Sequence, residues 1–79
     1  SLMNKIILRF IIVKKQKALE VVFDGRLTME ENFKLLSEIY EIGSIEKTYV
    51  VDINRKVALK KDIPISSFNF KNFKTLYLF

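Results

Sequence analysis

The 79-residue chain has no cysteine and no histidine, a single proline, and two glycines, Gly25 and Gly43. Each absence removes a class of chemistry. Without cysteine there is no disulfide framework and no thiolate metal site. Without histidine the commonest general base and metal ligand is missing, so the chain is expected not to be an enzyme and to carry no catalytic, metal or cofactor site. No phosphate-cradling glycine loop occurs. The serines, Ser1, Ser37, Ser44, Ser66 and Ser67, have no histidine to activate them. No run approaches the ~20 apolar residues of a membrane-spanning helix. Residues 4–13 begin like a signal peptide, with Lys5 ahead of an apolar run. Arg9 breaks that run, Lys14-Lys15 closes it, and no small-residue cleavage site follows, so a cytoplasmic location is expected.

What remains is an apolar fraction of 49%, enough for one packed core in a chain of this length. Residues 3–79 are read as a single domain, with Ser1-Leu2 ahead of Met3 as an expression remnant. Lys and Arg total 14 against 9 Asp and Glu, a net charge of +5. The charge is unevenly spread: residues 28–46 carry Lys34 against five glutamates, between two basic flanks. Such a balance permits an acidic protein, a nucleic acid or an anionic surface as partner without choosing among them.

Alternation predicts the strands. Over residues 6–13, Ile6, Leu8, Phe10 and Ile12 share one face, with Ile7, Arg9, Ile11 and Val13 on the other, wetter one. Lys14-Lys15-Gln16-Lys17 predicts a hairpin loop longer than two residues. Residues 18–23 alternate again, Leu19, Val21 and Phe23 inward and Glu20 outward, before an Asp24-Gly25 turn. Thr28-Met29-Glu30-Glu31 is a capping box that opens a helix. Met29, Phe33, Leu36 and Tyr40, with Ile39 beside them, give that helix a core-facing stripe as far as Gly43. A third strand is expected over 48–53, with Val50 and Asp52 on its outward face. A short fourth is expected over 57–59, solvated Lys60-Lys61-Asp62 next, then a turn planting Phe68 and Phe70 in the core. The last strand, 74–79, alternates Leu76 and Leu78 against Tyr77 and Phe79. The fold class is therefore α+β: a mixed four- or five-stranded sheet with one main helix packed on one face, the first and last strands adjacent at its centre.

In this order, the opening hairpin, the capped helix start at residues 28–34, and Ile65-Ser66-Ser67-Phe68-Asn69-Phe70 followed by Thr75-Leu76-Tyr77-Leu78 resemble the ubiquitin-like β-grasp superfamily. Within it the chain is most similar to bacterial YukD/EsaB-type proteins, small cytosolic ubiquitin-like proteins associated with type VII (ESX, WXG100) secretion in Gram-positive bacteria. The resemblance implies a non-catalytic interaction module acting as an accessory or regulator of that secretion, with a secretion-system protein as partner. The family's conjugated members end in two glycines; this sequence stops at Phe79, so no conjugation is expected.

Two surfaces are candidates for binding. The sheet face opposite the helix is expected to present Ile7, Ile11, Val22, Val50, Tyr77 and Phe79 around Arg9, Glu20 and Asp52, more apolar surface than solubility asks for. A protein partner or a second copy is expected there. A basic patch of Lys14, Lys15, Lys17, Arg55, Lys56, Lys60 and Lys61 supports two alternatives. One is RNA or DNA binding, disfavoured because no aromatics interleave with the lysines to stack bases. The other is head-to-tail self-assembly, basic hairpin on acidic helix.

Overall fold

In the computed structural model, which describes residues 4–79, the strands are β1 (Lys5–Ile12), β2 (Lys17–Asp24), β3 (Val50–Asp52), β4 (Val57–Ala58) and β5 (Lys74–Leu78). Ser1, Leu2 and Met3, and with them the reading of Ser1-Leu2 as a remnant, lie outside the described residues. The β1–β2 hairpin pairs Ile12 with Lys17, leaving a four-residue loop that turns through a 3₁₀ turn, Val13–Lys15, and a left-handed Gln16 at φ 53°. One five-stranded mixed sheet forms in the order β2-β1-β5-β3-β4, an α+β arrangement compatible with a β-grasp-like fold. β1 and β5 run parallel at its centre, as their continuous apolar composition requires, and the other pairings are antiparallel.

The single helix expected through Gly43 is corrected: the segment forms two short helices, α1 (Met29–Lys34) and α2 (Ile39–Ile42). The start is as expected, since the Glu31 N–H donates to Thr28 Oγ1 and the Thr28 N–H to Glu31 Oε1, both at 3.0 Å. The break follows from spacing. The core-directed residues Phe33, Leu36, Ile39, Ile42 and Ile45 fall every third position, a period that an α-helix of 3.6 residues per turn rotates steadily away from any one surface. The backbone tightens instead: Leu35 N–H donates to Asn32 O and Leu36 N–H to Phe33 O, both i to i−3. Tyr40, expected in the core stripe, consequently stands 71% exposed, and Leu35 73%.

The core lies between these helical segments and the even-numbered face of β1. Phe10, Phe23 and Phe33 are fully buried and meet with ring centroids 5.3–5.5 Å apart. Asn32 pins α1 to the end of β2: its Oδ1 accepts from the Asp24 N–H at 2.7 Å, and its Nδ2 donates to Asp24 O at 2.9 Å and Thr28 O at 3.0 Å. Downstream, the 3₁₀ turn Ile65–Phe68 buries Ile65 and Phe68, and Phe70 stacks on Phe68 at 5.0 Å, half-buried.

β3 corrects a second expectation. Val50 lies opposite Leu78 and is 1% exposed; Asp52, two residues on, is fully buried. Both face the core, so Val51 takes the outward position. Alternation alone assigns the face that carries a carboxylate to solvent. Here the carboxylate is inside because Lys74 Nζ stands 3.1 Å from Oδ1 and Arg55 Nε 3.3 Å from Oδ2.

Candidate functional site

With the helices on one side, the pleat leaves the odd-numbered residues of β1 and β5 on the open side of the sheet. Register then decides what lines up. Ala18 lies opposite Ile11, Ile11 beside Tyr77, Tyr77 opposite Val51, and Val51 opposite Ala58. One unbroken apolar row thus crosses all five strands, a span of about 19 Å at the usual strand spacing. Ile11, Tyr77 and Val51 are half-buried by one another, while Ala18 and Ala58 are exposed at the two edges.

Neighbouring rows frame this one. Toward the N-terminal end of β1 comes a polar row, Glu20, Arg9 and Thr75, with Arg9 Nη2 3.2 Å from Glu20 Oε2. That pair is exposed and adds little stability; it leaves the row polar but locally neutral. Beyond it Val22 faces Ile7, and the exposed Phe73 donates its N–H to Ile7 O at 2.7 Å. On the other side of the apolar row, Tyr49 and Phe79 exchange two backbone hydrogen bonds of 2.9 Å and expose their rings.

Of the residues expected on this face, Ile7, Arg9, Ile11, Glu20, Val22, Tyr77 and Phe79 are there, and Val50 and Asp52 are not. Sequence reasoning missed Val51, Tyr49, Phe73, Ala18 and Ala58. Placing Val51 and Tyr49 required knowing that Leu78, a core residue, pairs with Val50. No single-strand pattern carries that information.

The basic residues do not form one patch. Lys14, Lys15 and Lys17 lie at the hairpin end beside the β2 edge, whereas Arg55 and Lys56 lie in the turn at the opposite end beside the β4 edge. Several are also already occupied. Lys17 Nζ is 3.3 Å and Lys15 Nζ 3.5 Å from the Glu41 carboxylate of α2. Chiefly through the Lys17 hydrogen bond, this holds the Glu41 carboxyl below its ordinary range. Arg55 serves Asp52. Lys61, expected in solvent, is half-buried and its ammonium donates to the Ile45 and Thr48 carbonyls, closing the loop before β3. Lys60 remains exposed after β4.

No helix of the described residues is long and apolar enough to cross a membrane. No protein-family model matches the chain, and no curated protein matches its sequence.

Proposed function

We propose that this chain is a non-catalytic, ubiquitin-like (β-grasp) protein-interaction module whose working surface is the open sheet face. The observation that carries this reading is the apolar row Ala18, Ile11, Tyr77, Val51, Ala58, continuous across five strands and covered by no element among the described residues. A solvated antiparallel face ordinarily alternates in polar residues, and contiguous apolar surface of this kind marks interaction sites. The strand order with its parallel β1–β5 centre supports the β-grasp assignment; the broken helix is a departure from the single rod of ubiquitin. The narrower role, a YukD/EsaB-type accessory of type VII secretion, rests on the resemblance in length and in residues 65–78.

The rival readings lose ground to geometry. Nucleic-acid binding wants a continuous cationic track, and the cations are divided between opposite corners. Head-to-tail assembly through the hairpin wants free lysines, and Lys15 and Lys17 are engaged with Glu41 of the same chain.

The test compares the wild type with a double variant, Ile11→Glu with Tyr77→Glu, in sedimentation equilibrium and in capture from native cytosol. Wild-type association, with a second copy or with a partner, is expected to be lost in the variant while its far-UV circular dichroism is unchanged. Association retained by the variant, or a wild type that associates with nothing, sinks the proposal.

A further inference from the structure

We infer that the cleft at the hairpin end of the sheet is a second docking site, shaped for one large apolar side chain carried within an acidic segment of a partner protein. The cleft encloses about 310 Å³, at the small end of ligand-sized cavities. Its apolar lining is Ile12 of β1, Ile42 of α2 and Leu78 of β5, all buried, together with the exposed Phe79. Its rim is cationic, with Lys14 and Lys15 from the hairpin and Lys47 from the 3₁₀ turn Ile45–Lys47. The one acidic side chain in the lining, Glu41, is neutralised by Lys17 and Lys15. Lys14 and Lys47 make no ion pair among the described residues.

Three properties select the occupant. The buried apolar side chains Ile12, Ile42 and Leu78 in the lining reward an apolar group and offer a bare phosphate no polar contact. The ammonium groups are mobile point charges on flexible stems, unlike the rigid fork that grips one phosphate in two places, so they suit several loosely placed carboxylates. The cleft also opens over Gly43, where the backbone sits at φ +83° and an added methyl would meet nothing within 4 Å. A polypeptide can lie across that opening with one side chain inserted. The site shares only Phe79 with the open sheet face, so it stands or falls separately from the function proposed above.

The probe is a capped peptide, Glu-Asp-Trp-Glu-Asp. The chain itself has no tryptophan, so the peptide's indole emission reports burial directly. Saturable binding with a blue shift is expected, weakened about tenfold or more by high salt. A similar loss is expected in the double variant Lys14→Glu with Lys47→Glu, whose exposed positions leave the core untouched. Amide shifts should centre on Ile42, Gly43, Thr48 and Leu78, and the Ile11→Glu, Tyr77→Glu variant should bind as tightly as the wild type. The inference is overturned if the same peptide with alanine for tryptophan binds equally well, if the lysine variant binds unchanged, if a short oligonucleotide of equal charge binds as well, or if the shifts centre on Ile7 and Val22.

Discussion

Asp52 departs furthest from the rule that carboxylates stay in water. It is wholly enclosed, yet Oδ1 accepts from the Asn54 N–H at 3.1 Å and faces Lys74 Nζ at 3.1 Å, while Oδ2 meets Arg55 Nε at ion-pair distance without an aligned hydrogen bond. Both cations also approach the ring of Phe70, at 5.6 Å and 5.9 Å. Arg55 Nη2 in turn donates to Phe68 O at 3.2 Å. One carboxylate therefore ties the end of β3 to the start of β5 and to the 3₁₀ turn between them. Asp52→Asn keeps an acceptor for the Asn54 N–H and removes the charge, leaving the mostly buried Lys74 without its counter-ion. We expect a loss of about 2 kcal/mol, read as a fall of about 10 °C in Tm for a domain of this size. An unchanged Tm would mean that the two cations are content with water and Phe70 alone.

The helical segment shows how an element answers to its surroundings. A six-residue α1 has no stability of its own; it persists because Met29 and Phe33 are buried and Asn32 is bonded to β2. After Lys34 the three-residue period of the apolar positions matches a 3₁₀ spiral better than an α-helix, and the chain obliges by breaking. The break makes opposite forecasts for neighbouring residues. Tyr40→Ala should cost less than about 0.5 kcal/mol, as an exposed substitution does. Ile42→Ala should cost about 2 kcal/mol or more, as cavity formation does. Denaturant unfolding of the two variants decides it, and comparable losses would restore the continuous helix.

Across the whole molecule, the acidic stretch between basic flanks is put to internal use through Glu41 of α2, which meets the lysines of the β1–β2 hairpin; outside that stretch, Asp24 meets Arg26 at 2.8 Å. Three carboxyls are held below their ordinary values. Arg26 does this for Asp24, chiefly by its side-chain hydrogen bond, and Lys17 for Glu41; for Glu46 its own backbone N–H does it first, then Ser44. A lowered folded-state value means that the unfolded chain binds more protons at a given acid pH. These groups therefore contribute in full above their ordinary values, near 4 to 4.5, and lose that contribution as the pH falls below them. Stability should be level from about pH 7 to 5 and decline below about pH 4. Denaturation midpoints taken across that range test it, and a rise on acidification would contradict the ion pairs described.

Much of this was legible in the chain itself. The alternation of β1 and β2, the Thr28–Glu31 box and the pairing of Leu76 and Leu78 against Tyr77 are local, because backbone period and capping chemistry act over a few residues. From them follow the α+β class, the single core and most of the open face. Tertiary structure alone settled the rest. A three-residue strand such as β3 has too few positions to reveal its own parity, so only its register against β5 sends Val50 and Asp52 inward and Val51 outward. Likewise the lysines read as one patch are separated by the order of five strands, and the helix is interrupted by the surface it must cover. In each case the deciding contacts join residues far apart in sequence, and no local pattern encodes a partner that the fold has yet to bring near.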